Sequence, residues 1–117
     1  MNTMRTYQGQ RPVDDEIGDC RVFVIEGERT RPLRHVRVHS GAFEWGYGGS
    51  GPADLSLSIL ADFFGERPTR RQIERGEFRA WGLHQPFKWA FISTADHSGF
   101  TITGAQIMEW LKQRGES

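Results

Sequence analysis

Apolar positions along the chain recur with period 2 in two places and with helical period in three, and these runs predict the elements. In "CRVFVIEG" (20–27) Val22 and Val24 alternate with Phe23 and Ile25, which predicts a strand with apolar groups on both faces. In "LRHVRVH" (33–39) Val36 and Val38 point one way while His35, Arg37 and His39 point the other, the pattern of a strand with one buried face. The link "EGERTRP" (26–32) is short and polar, so the two runs are expected to pair as an antiparallel hairpin over 20–39. From Pro52 to Phe64 the chain is apolar almost all round, apart from Ser56 and a narrow stripe of Asp54, Ser58 and Asp62. That predicts a buried central helix over 52–64, with Pro52 in its first turn and Gly65 at its stop. Phe87, Ala90 and Phe91 predict a second helix over 86–95, entered at Pro86. "FTIT" (100–103) is a candidate short third strand. Ile107, Trp110 and Leu111 mark a third helix over 104–114, opened by a Thr103–Gln106 capping box and closed at Gly115. A shorter helix is expected from about Thr69 to Glu74, with Gly76 and Gly82 as breaks. The fold class is therefore α+β, a small antiparallel sheet packed on three main helices. Residues 1–19 are polar, with Tyr7 a candidate anchor for an early strand, and are set apart from a single domain over 20–117.

Composition narrows the function classes. The 117 residues suit one domain with one modest core, and 12% aromatic content supplies large side chains to fill it. Fifteen Lys and Arg balance fifteen Asp and Glu, so polyanion or membrane binding is not expected from global charge and would need a local patch. The single cysteine, Cys20, excludes an intramolecular disulfide, and with no signal-like N-terminus a cytoplasmic location is expected. No window approaches the roughly 20 apolar residues of a membrane span.

The stretch "SGAFEWGYGGSG" (40–51) joins the predicted second strand to the central helix. Glycine-rich loops that run into a helix N-terminus hold anions, because free amides point at the ligand and the helix dipole adds to the field. The candidate ligand-binding residues are therefore Glu44, Trp45, Tyr47, Gly48, Gly49, Ser50, Gly51 and Asp54. Trp45 and Tyr47 would be walls and Glu44 a polar contact. The loop lacks the Lys-Ser/Thr ending of a P-loop and the spacing of a dinucleotide fingerprint. Its structural alternative is a tight connection in which at least one of Gly46, Gly48, Gly49 and Gly51 takes positive φ. In that view Gly51 or Ser50 is the N-cap, and Asp54, near the third helical position, caps the helix.

The segment "HSGAFEWGYGGSGPADLSLSIL" resembles the signature of an uncharacterised family of small proteins found in phages, plasmids and bacteria, which carry an FEWGYGGSGPADLALSIL-like segment after a hairpin and before an aromatic helix and a C-terminal "I..W" helix. The resemblance spans roughly residues 20–113 and departs at residues 40–43, where relatives tend to have a longer turn. It brings no established activity. It implies a phage or mobile-element setting, hence an accessory role in a host cytoplasm. With the loop chemistry, the leading expectation is a non-enzymatic binding module for a small anionic or nucleotide-like ligand. The alternatives are a protein-interaction factor or inhibitor of a host complex, and thirdly a small hydrolase.

Other chemistry is sparser. On a regular strand His35 and His39 would lie about 13 Å apart, too far to share a metal. His84 and His97 stand elsewhere in the chain, so no metal or cofactor is expected. "GGSGP" around Ser50 lacks the second glycine of a nucleophile elbow. Glu44 and Asp54 form a candidate acid–base pair, set against a solvated Glu and a capping Asp. Arg67, Arg70, Arg71, Arg75 and Arg79 are a candidate contact to nucleic acid, set against a solvated surface in which they pair with Glu66, Glu74 and Glu77.

Overall fold

Four antiparallel strands form one sheet in the order β3-β2-β1-β4: β1 (Thr6–Gln10), β2 (Arg21–Glu26), β3 (Arg29–Pro32) and β4 (Gly99–Thr103). The computed structural model describes residues 2–11 and 20–116. Tyr7 of β1 stands opposite Val24 on one side and Ile102 on the other, and this row is buried. The four helices are α1 (Ser50–Phe64), α2 (Arg70–Arg75), α3 (Arg79–Phe87) and α4 (Gly104–Gln113), and a π-helical turn, Lys88–Ile92, continues α3. The chain is thus α+β, as its pattern predicts. Its core joins the buried sheet row to Leu55, Leu57, Ile59, Leu60 and Phe63 of α1 and to Ile107 and Leu111 of α4.

Several boundaries differ from the sequence pattern, each for a physical reason. The hairpin partner of β2 is Arg29–Pro32, turned at Gly27 with φ +62°, and not residues 33–39. Residues 33–40 form no strand: Leu33 N–H donates to Val22 O of β2 at 2.9 Å, and buried side chains of α1 accept from four of the amides that follow. Ser58 Oγ accepts from Val36 N at 2.8 Å, and the Asp54 carboxylate accepts from the N–H of Val38, His39 and Ser40 at 2.8–3.3 Å. The polar N-terminal segment contains an internal strand, β1, held there by the buried Tyr7 and by pairing with β2 and β4 on its two edges. The acidic run Asp14, Asp15, Glu16 lies outside the described residues.

The expected helix over 86–95 begins earlier, at Arg79, and Pro86 lies inside it rather than at its start. Proline has no N–H to continue the α ladder. The next turn is wider: Ser93 N bonds Lys88 O at 2.8 Å, a five-residue step. This shift exposes Ala90 and buries Lys88 and Ile92. Capping boxes at Thr69–Gln72 and Thr103–Gln106 open α2 and α4. The latter is the box seen in the sequence.

Candidate functional site

The glycine loop is held from below by its acidic and indole side chains. Glu44 is bound by both terminal nitrogens of Arg11, at 2.5 and 3.1 Å, and Trp45 N–H donates to it at 3.2 Å. The Arg11 bonds hold the Glu44 carboxyl below its ordinary range, against the opposing effect of burial. Arg11 also stacks over Trp45, and Arg11 Nε and Trp45 Nε1 both donate to the His97 carbonyl, at 2.7 and 3.1 Å. Trp45 is 1% exposed, so it is a core residue. Arg11 Nη1 donates to Cys20 Sγ at 3.1 Å, and burial pushes the Cys20 thiol up. Gly46 takes φ +88°, the positive value expected of at least one loop glycine.

Asp54 does not cap α1. The helix begins at Ser50 with Gly49 as N-cap and no capping side chain, so Asp54 lies a turn further in and fully buried. Its carboxylate bonds His35 Nε2 at 2.7 Å as well as the three amides of residues 38–40. Burial alone would raise its pKa, but these donors outweigh burial and hold it below the ordinary range. Glu44 and Asp54 are therefore committed to separate partners. His39 and His84 meet instead, Nε2 to Nε2 at 3.2 Å. The Trp81 carbonyl accepts from His84 Nδ1–H at 2.6 Å, which leaves His84 Nε2 to accept from His39. Burial pushes the His84 pKa down. Among the described residues, no group of three or more His, Cys, Asp or Glu is placed to hold a metal ion.

The upper face of the loop is different. Tyr47 and Trp89 are 52% and 60% exposed, and each ring lies against a glycine. A Cβ on Gly48 would come within 2.3 Å of the Trp89 ring, and one on Gly49 within 2.4 Å of the Tyr47 ring. A side chain at either position would force the exposed ring to shift. Beside them Lys88 is buried, its ammonium 3.3 Å from the Gly48 carbonyl and 4.6 Å from the Trp89 ring centre. No carboxylate partners Lys88 among the described residues. At the start of α1, Pro52 lacks an N–H, Ala53 N bonds Gly49 O, and Gly49 offers no side chain to the amides of Ser50 and Gly51. Ser50 is exposed at the first helical position, and Gly51 is buried behind it.

Of the candidate residues, Tyr47, Gly48, Gly49 and Ser50 thus share one surface, with Gly51 beneath. Glu44, Trp45 and Asp54 point into the supporting structure. Lys88 and Trp89 were missed by the sequence pattern. Their signal was a lysine four residues after His84 and four before Ile92, on the stripe that the π turn buries. Neither described cavity, of about 460 and about 650 Å³, is lined by a residue of 44–54.

In the stretch 67–79, Arg70 pairs with Glu74, Arg75 with Glu77, and Arg79 lies over the Phe64 ring and near Glu116. No helix of the described residues is long and apolar enough to cross a membrane. The model of a family of unknown function, DUF6166, matches residues 7–113. No curated protein and no solved structure matches the chain.

Proposed function

Because the chain belongs to the family of unknown function DUF6166, which brings no activity with it, we propose from its geometry that it is a non-enzymatic binding module for a small anionic, ring-bearing ligand of nucleotide-like chemistry. The observation that carries this reading is Lys88. The ammonium of this buried residue has the Gly48 carbonyl and the Trp89 ring face as partners and no carboxylate, which leaves N–H donors for an anion. It sits beside the uncapped start of a 15-residue helix, where the dipole also favours an anion. Tyr47 and Trp89 offer exposed faces on which a planar ring can stack. Asp54 does not oppose the anion, because its charge is engaged by His35 and the 38–40 amides. The resemblance of the loop segment to phage and plasmid proteins suggests an accessory role in a host cell.

Titration with AMP, followed by tryptophan fluorescence, tests this. Binding is expected for AMP and at least tenfold weaker for adenosine, which lacks the phosphate. Trp89→Ala should weaken AMP binding by a similar factor, about the 1–3 kcal/mol that aromatic stacking contributes per base. Equal affinity for AMP and adenosine, or none for either, would count against the reading.

The exposed Tyr47 and Trp89 also favour a second reading, a docking surface for a partner protein, since aromatic side chains are enriched at interfaces.

A further inference from the structure

At the far end of α1 a cavity of about 460 Å³ is lined by five arginines, Arg5, Arg31, Arg34, Arg37 and Arg67, and by two carboxylates, Asp62 and Glu66. Both carboxylates are already engaged. Asp62 accepts from Tyr7 Oη at 2.7 Å, from Arg5 at 2.9 Å and from Arg31 at 2.6 Å. Glu66 accepts from the backbone N–H of Arg79 and Ala80, at 2.7 and 3.0 Å.

Asp62 thus balances part of the charge of Arg5 and Arg31. Arg34, Arg37 and Arg67 have no carboxylate partner among the described residues, and Arg37 reaches only the Gly41 carbonyl, at 3.2 Å. Arginines of two separate segments, 34–37 and 67, line one hollow in which five cationic side chains meet two carboxylates. Their mutual repulsion and their field both favour an anion there.

The wall that carries Arg34 and Arg37 is fixed in advance. Leu33 N–H bonds Val22 O of β2, and residues 35–40 hang from Ser58 and Asp54 of α1. The arginines are therefore presented by a segment tied to the most buried helix of the protein. No Phe, Tyr or Trp lines the cavity, and the one ring there, His35, is bonded to Asp54. The stacking walls of exposed Tyr and Trp found at the glycine loop are therefore absent from this cavity's lining. Guanidinium forks match phosphate oxygens two at a time.

We infer that this cavity is a second anion site, separate from the glycine loop, which takes compact phosphate groups without an attached aromatic ring. Gly51 and Asp62 are eleven residues apart on α1, about 16 Å along its axis, so one small ligand does not reach both sites.

Calorimetric titration with inorganic pyrophosphate tests the inference. Wild-type protein should bind it. The double variant Arg34→Gln, Arg67→Gln should bind at least tenfold more weakly. Both residues are exposed, so the variant should keep the wild-type circular dichroism spectrum. Trp89→Ala should bind pyrophosphate as wild type does, which separates this site from the loop. Wild-type protein that fails to bind millimolar pyrophosphate would overturn the inference. So would a double variant that binds equally well, or a loss as large in Trp89→Ala.

Discussion

Removal of the buried Asp54 carboxylate would take the acceptor from one histidine and three main-chain amides. Each bond to a charged acceptor contributes about 1.5–3 kcal/mol. Asp54→Ala should therefore destabilise the protein by about 3 kcal/mol or more in urea denaturation, above the roughly 1 kcal/mol of a lost helix cap. A loss of only about 1 kcal/mol would mean that residues 38–40 find other partners. His84 makes the pH dependence specific. Its pKa is lowered by burial, so the unfolded chain binds the proton more readily. The stability from keeping His84 neutral is present above its unfolded pKa of about 6.5 and is lost as pH falls through the lower folded value. Asp54 and Glu44, also lowered, lose their contribution further down, below the ordinary carboxylate range. Unfolding free energy should thus begin to fall below about pH 6.5. His84→Gln should remove that first phase and leave the acid phase. An unchanged profile in the variant would assign the first phase elsewhere.

Among the elements, α1 explains most of the architecture. Its stripe of Asp54, Ser58 and Asp62 looks in sequence like the wet side of a buried helix. In the structure it is a row of acceptors for chain segments that have no sheet partner. Asp54 and Ser58 hold residues 35–40, and Asp62 gathers Tyr7, Arg5 and Arg31. Ser58→Ala should cost about 1–3 kcal/mol, because Val36 N–H loses its buried bond, the only one it makes among the described residues. A change within 0.5 kcal/mol would show that the segment is held by Asp54 alone. The alternation of Val36 and Val38 with His35, Arg37 and His39 suggested a strand because period 2 records which side is buried, not what satisfies the amides. The helix over 104–114 was legible because its capping box and apolar stripe are local. The π turn was not, since its cause lies in Pro86 and its effect, the burial of Lys88, two residues on.

At the scale of the whole molecule, the sheet depends on a strand that composition sets aside. β1 lies between β2 and β4, and Tyr7 joins both to Asp62. A fragment that starts at Cys20 should show no cooperative thermal transition by circular dichroism, and one would contradict this topology. The glycine loop was readable as a place, from its order before a buried helix. The face proposed for binding was not, because Lys88 and Trp89 come from a segment some forty residues later. The most direct measurement is an amide-resolved NMR titration with AMP, in wild type and in Lys88→Met. That substitution replaces a buried charge with an apolar side chain, which folded proteins tolerate well. The account predicts that AMP shifts the amides of Tyr47–Gly51 and the Trp89 indole, and that Lys88→Met binds at least tenfold more weakly. Shifts confined to other regions, or equal binding by Lys88→Met, would contradict it.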